Sequence, residues 1–215
     1  PALSACPLTV APIMMSTGDT VEVPLFPLGN VLFPDGVLPL KLFEARYLDM
    51  AARCMRANAP FGVCLIREGG EVGAPAVPHG VGSIARITGW DMDKPGLLFI
   101  TTRGGERFRI VEQTTRPDRL LTAHIALLPE PPVQPVPEAL ADVLPLLRAI
   151  VADAGEEAFP LPHRFDDATW VGYRLAEILP IPVQARQRLL ELDEPISRLE
   201  IIQAYLRQHK LLGDD

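Results

Sequence analysis

Between Val21 and Leu128 apolar residues come in short runs cut by Gly and Pro: Val21 to Leu25, Val37 to Leu42, Phe61 to Ile66, Val81 to Trp90, Leu97 to Thr102, Arg107 to Val111 and Leu120 to Leu128. Runs of this length bounded by turn residues predict β-strands, and several at this spacing predict a barrel or a sandwich. One stretch keeps a different period. Across Phe43 to Asn58, the residues Phe43, Tyr47, Leu48, Ala51, Cys54 and Met55 recur at helical steps, which predicts one amphipathic helix set among the strands. Asn58 and then Pro60 end it, since neither favours continuation.

Further along, the period turns helical for good. Leu140, Val143, Leu144, Leu147, Ile150 and Val151 form one stripe that stops near Gly155, and Pro145 must either kink this helix or mark its start. Asp166 or Asp167 can cap a second helix carrying Trp170, Tyr173, Ala176 and Ile178, which ends at Leu179-Pro180. Pro182 opens a third that runs to Leu192. Asp193 or Glu194 caps a fourth, with Pro195 in its first position and Ile196, Leu199, Ile202 and Leu206 along one face. Between the strand half and the helical half lies a proline-rich connector, 130–137, that can form neither a helix nor a central strand. No internal repeat stands out. The expected organisation is a flexible tail over 1–20, a β-unit over 21–129, the connector, and helices over 138–210.

Charge falls on the same division. Up to Pro129 there are 12 acidic and 12 basic side chains, whereas the remainder holds 15 acidic and 8 basic, so the net charge of -7 comes entirely from the helical part. With 48% apolar residues the chain can bury a sizeable core, which excludes disorder over most of its length. No run of apolar residues is long enough to span a bilayer. The stretch Pro1 to Met15 lacks the basic flank of a signal peptide, and Pro7 and Pro12 interrupt it; Met14 or Met15 is a possible initiator. The three cysteines, Cys6, Cys54 and Cys64, are odd in number and form no Cys-x-x-Cys pair, which points to a reducing cytoplasm.

Candidate chemistry is sparse. His79, His124, His163 and His209 are far apart, so no metal site is expected. None of Ser4, Ser16, Ser83 and Ser197 sits in a Gly-x-Ser-x-Gly elbow. The stretch from Gly80 to Ala85 matches a loose dinucleotide pattern, but β-like residues follow it where a helix should begin, so its glycines are expected in a turn or bulge. Lys41, Lys94 and Lys210 never follow a glycine, which removes a phosphate-binding loop. Cys54 and Cys64 lie among apolar neighbours and read as core residues. Glu156-Glu157 and Asp166-Asp167 read as solvated or capping groups. Arg103, Arg107, Arg109, Arg116 and Arg119 could track a phosphate backbone, but Glu106, Glu112 and Asp118 interleave with them. Around Phe108, the flanking Arg107 and Arg109 are expected to face outward.

One block is more specific than the rest: Pro24-Leu25-Phe26-Pro27-Leu28, Val31-Leu32-Phe33-Pro34, Leu38-Pro39-Leu40, Phe43-Glu44-Ala45-Arg46-Tyr47 and Phe61-Gly62-Val63. It resembles the N-terminal substrate-binding (LON) domain of the ATP-dependent Lon proteases, as do Gly82-Ser83-Ile84-Ala85 and the segment from Gly105 to Ile110. The resemblance runs from about Val21 to Leu128 and more loosely to Leu206. One departure is Asp35, which stands where family members often carry a glycine directly after Phe-Pro.

The resemblance implies an α+β fold: a PUA-like β-barrel with one embedded helix, followed by a small C-terminal helical bundle. It also implies a stand-alone, non-catalytic module that recognises exposed apolar segments of polypeptides in a cleft between barrel and bundle, without ATPase or protease parts and with no cofactor. Its partners would be unfolded or extended polypeptide segments, and a protease or chaperone; neither nucleic acid nor membrane is expected. The alternative is an RNA-binding PUA-like module. The peptide-binding candidates are Phe26, Phe33, Phe43, Arg46 and Tyr47. A structural reading stands beside that one: prolines 24, 27, 34 and 39 keep strand ends from pairing, Phe26, Phe33 and Phe43 seal the barrel around the helix, and Glu44 sits in the helix's first turn with Arg46 pairing locally.

Overall fold

Residues 20–212 are described by the computed structural model, except for the side chain of Asp93. The expected tail up to Asp19, with Ser4, Cys6, Met14, Met15 and Ser16, therefore lies outside the described residues. The chain divides into two units, Pro1–Pro129 and Glu130–Asp215.

The first unit holds β1 (Val21–Leu28), β2 (Val37–Leu42), α1 (Ala45–Ala57), β3 (Phe61–Glu68), β4 (Val77–Lys94), β5 (Leu97–Thr115) and β6 (Leu121–Leu127). The strands form one sheet in the order β2-β5-β4-β3-β1-β6, and β5 pairs with β6 as well. The pairings therefore run in a closed circuit through β5, β4, β3, β1 and β6, with β2 added outside it. Two expectations change here. Leu97–Thr102 and Arg107–Val111 are one strand, which runs on through Gly104-Gly105 with a shift of register against β4 between Ala85 and Ser83. A Cβ on Gly104 would overlap the Phe33 carbonyl, so this glycine lets the loop after β1 pass close by rather than breaking the strand. Three of the four prolines also lie within strands, since Pro24, Pro27 and Pro39 have register partners, while Pro34 lies in the loop before β2. β1 tolerates two of them because it pairs with β6 only up to Leu25 and with β3 only from Leu25 on, which leaves each half one free side.

Both open edges of the sheet are irregular. The bond from Gly104 N to Gly36 O, 2.8 Å, fixes the phase of the β2–β5 ladder, and alternation then turns the backbone groups of Val37, Pro39 and Lys41 outward. Pro39 contributes no N–H to that row. On the other side, β3 covers β4 only as far as Ala85, and beyond it the β4 register shifts between Ile87 and Gly89 and again between Asp91 and Lys94.

Successive residues of β1 point to opposite faces, and both faces are buried. Leu25 joins Ile84, Phe108, Leu121 and Ile125 in one core cluster. Phe26 joins Leu40, Tyr47, Met50, Phe61 and Ile100 in another, which packs α1 against the sheet. Gly82 makes the first cluster possible, because a Cβ there would overlap the Val63 carbonyl and crowd Cys64 and Phe108. The β4 ladder slips at this place, between Cys64 and Ile66, as expected of glycines serving a bulge. The loop before β2 is fixed by Ser83 Oγ donating to Leu32 O at 2.6 Å and by Asp35 N donating to Gly104 O at 2.9 Å. Asp35 takes a φ of 63°, the left-handed conformation that glycine adopts most easily, and its carboxylate meets Arg103 at 3.3 Å. Helix α1 ends on Asn58, itself at φ 47°, as its residue type predicted.

The second unit is helical: a 3-10 turn (Glu138–Val143), α2 (Leu144–Ala158), α3 (Ala168–Ile178), α4 (Val183–Glu191) and α5 (Pro195–Gln208). Pro145 falls in the first turn of α2, where its missing N–H costs nothing, so it marks a start and not a kink. Asp167 caps α3 by accepting from Thr169 N at 2.9 Å. Leu147, Val151, Trp170, Leu175, Leu199, Ile202 and Leu206 are buried.

Candidate functional site

The five residues carried by the motif block separate into core and surface. Phe26, Phe33 and Tyr47 are buried. Phe26 packs 4.5 Å from the Tyr47 ring and 6.3 Å from Phe61, so these aromatics join helix to sheet. Burial pushes the Tyr47 hydroxyl above its ordinary pKa, against the opposing charge of Arg46. Arg46 is buried too. Its guanidinium pairs with Glu44 at 2.9 Å, donates to Arg119 O at 3.1 Å and stacks 4.6 Å over the Tyr47 ring. It therefore ties the start of α1 to the turn between β5 and β6. Glu44 sits at the N-cap, one residue before α1, and not in its first turn. Phe43 is the exception: it is 55% exposed and seals nothing.

Reactive groups do not converge among the described residues. Cys54 and Cys64 are buried; burial raises the Cys54 thiol to about 11 and pushes Cys64 up further, so neither supplies a thiolate at neutral pH. No group of three His, Cys, Asp or Glu side chains is placed to hold a metal ion among the described residues. The arginine stretch is broken as well. Arg103 is paired with Asp35, while Arg109, Arg116 and Arg119 share the surface with Glu112 and Asp118. Arg107, expected to face solvent, is only 3% exposed. The alternation rule assumes a solvated outer face, and β5 is not solvated at that position.

What the first unit does present is an apolar tongue. Past Ala85, β4 pairs only with β5 in a hairpin, so its other side is uncovered while Leu98 and Ile100 of β5 stay in the core. Ile100 is buried, yet Trp90 directly opposite it is 61% exposed, and Met92 is 51% exposed. Phe99 is exposed as well, paired with Asp91 on one side and with Lys41 on the other, whose ammonium lies 5.9 Å from its ring. Adjacent residues alternate between faces, so Trp90 and Phe99 arm opposite sides of the hairpin. Lys41 and Lys94 frame it, and Phe43 follows Leu42, the β2 residue that meets Leu98. A surface with indole, thioether and phenyl groups in solvent suits contact with apolar side chains. Sequence reasoning did not single out Trp90, Met92 or Phe99. Leu97-Leu98-Phe99-Ile100 reads as an unbroken buried run, and only the nearby Pro95-Gly96 turn hints that the strand end projects.

The profile of the ATP-dependent protease La (LON) substrate-binding domain matches residues 22–208. The chain belongs to this LON substrate-binding domain family. As a LON domain it is 27% identical over 209 residues to Lon protease 2 of Herpetosiphon aurantiacus, covering 90% of this chain and 24% of that protein. It is 28% identical over 204 residues to Lon protease 2 of Syntrophobacter fumaroxidans, covering 90% of this chain and 25% of that protein. The chain thus spans about a quarter of the length of these relatives. The crystal structure of a Lon N-terminal domain protein from Xanthomonas campestris superposes with a TM-score of 0.72 at 32% identity, over 86% of this chain and 98% of that one. The N-terminal domain of Mycobacterium avium complex Lon protease shares the fold, with a TM-score of 0.63 at 18% identity over 88% of this chain and 100% of that one. The α+β fold, one sheet with several helices, is therefore that of Lon N-terminal domains. No helix among the described residues is long and apolar enough to cross a membrane.

Proposed function

We propose that this LON domain is a non-catalytic module that binds exposed apolar segments of unfolded or extended polypeptides through the β4–β5 hairpin, with Trp90, Met92 and Phe99 as anchors and Phe43 at the margin. It works in the cytoplasm, carries out no chemistry within the residues it folds, and hands its clients to a protease or chaperone. In this reading the closed strand circuit is a PUA-like β-barrel over 21–129, the connector is 130–137, and the helices over 138–210 form a bundle. Phe26, Phe33, Arg46 and Tyr47 shape the support on which the hairpin stands. The observation that carries the reading is the exposure of Trp90 and Met92 beside a buried Ile100, in a chain of the substrate-binding family. Aromatic and methionine side chains can contact many apolar sequences, as a general polypeptide binder requires.

Fluorescence titration with an apolar peptide and with an unfolded protein tests this. Trp90 is exposed and Trp170 buried, so capture at the hairpin shifts the Trp90 emission to the blue. Saturable binding at a Kd on the order of tens of micromolar is expected, weakened about tenfold in the Met92→Ser, Phe99→Ser double variant, which keeps the Trp90 signal. Absence of saturable binding, or equal binding by the variant, refutes the hairpin as the site.

A further inference from the structure

The second unit contains a depression of about 380 Å³ with no part in the hairpin site. One face of α2 supplies Arg148, Val151, Ala152 and Glu156, and the returning chain supplies His163 and Phe165. Its walls are fixed. His163 Nε2 bonds to Phe159 O at 2.8 Å, and the Phe165 ring stands edge-on to Trp170 at 5.2 Å. Gly155 opens the rim: its φ of 75° breaks the helical backbone, and nothing lies within 4 Å of where its Cβ would be.

Arg148 gives this depression its chemistry. Its guanidinium stacks 4.2 Å from the Phe165 ring, which orients the fork while leaving its N–H edge unused. Among the described residues it makes no ion pair, although the unit around it carries 15 carboxylates against 8 basic side chains. A held guanidinium without a counter-ion beside Val151, Ala152 and the Phe165 ring complements a ligand with one anionic end and one apolar end. Glu156, about two turns further along α2, opposes a second negative charge.

We propose that this depression binds a carboxylate carried on a large apolar group, with the carboxylate on Arg148 and the apolar group against Val151, Ala152 and Phe165. Two sources offer that chemistry, the C-terminus of a polypeptide ending in an apolar residue and a free arylalkyl acid. The site is built wholly from the second unit, so failure of the hairpin reading leaves this expectation standing.

Isothermal titration calorimetry of the full chain tests it with three probes: an acetylated tripeptide ending in phenylalanine, the same peptide as its C-terminal amide, and 3-phenylpropionate. The acid peptide is expected to bind at one site, about tenfold more tightly than the amide. Arg148→Gln abolishes that difference while Arg148→Lys keeps part of it, and circular dichroism verifies that both variants stay folded. A peptide acid that outbinds 3-phenylpropionate assigns the site to polypeptide C-termini, and parity assigns it to small acids. Equal binding of acid and amide, an Arg148→Gln variant that still discriminates between them, or no saturable heat with either acid overturns the proposal.

Discussion

Both units pair arginines with carboxylates, and they differ in which backbone carbonyls their arginines reach. In the sheet unit arginines pair with carboxylates across strands and turns: Arg86 with Glu106 at 2.9 Å, Arg103 with Asp35 at 3.3 Å and Arg46 with Glu44 at 2.9 Å. In the helical unit Arg174 pairs with Glu177 at 3.3 Å and Arg207 with Asp142 at 2.8 Å, but two others close helix ends. Arg198, fully buried, donates from Nε to Leu189 O at 2.9 Å and from its terminal nitrogen to Leu192 O, both at the C-terminus of α4. Arg186 does the same for α3, donating to Leu179 O at 2.9 Å. A sheet leaves few backbone groups without partners in its interior, whereas each helix ends on up to four unpaired carbonyls. Of the two buried arginines in this acidic unit, Arg198 answers to backbone oxygens and Arg174 to the Glu177 carboxylate.

Each unit carries one tryptophan, Trp90 in the sheet and Trp170 among the helices, so single-tryptophan variants report on the units separately. The largest effect is expected for Gly104→Val, whose side chain would occupy the place of the Phe33 carbonyl. Denaturant unfolding followed at Trp90 should lose about 4 kcal/mol or more. A variant of unchanged stability would show that the loop before β2 is not fixed by this contact. Next comes Arg198→Met, which nearly keeps the length but takes the guanidinium donors away from Leu189 O and Leu192 O and removes the cation held 4.2 Å from the Tyr173 ring. About 3 kcal/mol should be lost at the Trp170 signal. A loss no larger than that of an exposed arginine would erase the contrast drawn above.

The smallest expected effect concerns acid. Burial pushes the Glu106 carboxyl up, but the hydrogen bonds and charge of Arg86 outweigh it and hold the group below its ordinary value of 4.5. A depressed native pKa contributes stability above the unfolded value and loses it as pH falls through the native value. Glu106→Gln should therefore cost under about 1 kcal/mol at neutral pH, since both partners are partly solvated, and should flatten the acid limb of the stability profile below about pH 4.5. An unchanged acid limb would remove Arg86 and Glu106 from the electrostatic account of the sheet.

The helices were the most legible part of the sequence. Periodicity, Asp167, Pro145, Pro195 and Asn58 each mark a boundary through a local backbone preference, and local preferences are what residue types encode. Strand ends were harder to read. Gly104 reads as a breaker because its role, clearing a carbonyl from another loop, depends on a contact distant in the chain. Arg107 reads as exposed for the same reason. The motif block pointed to the family but mostly to its core, since Phe26, Phe33 and Tyr47 are packing residues. Trp90 and Phe99 escaped notice because an apolar strand residue is assumed to be covered, and only the three-dimensional course of β4 and β5 leaves them bare.

Under the proposed reading, Pro39 in β2 and the register slips in β4 past Ala85 would have a consequence for how unfolded chains are met. Such chains seek strands to extend, and a straight, fully equipped ladder beside the hairpin would let a client add itself to the sheet and recruit the next one. A missing donor on one flank and a puckered backbone on the other deny it that template. Contact would then be confined to side chains, which let go far more readily than a zipped strand, so a domain of the proposed function would release its client without becoming the seed of a fibre.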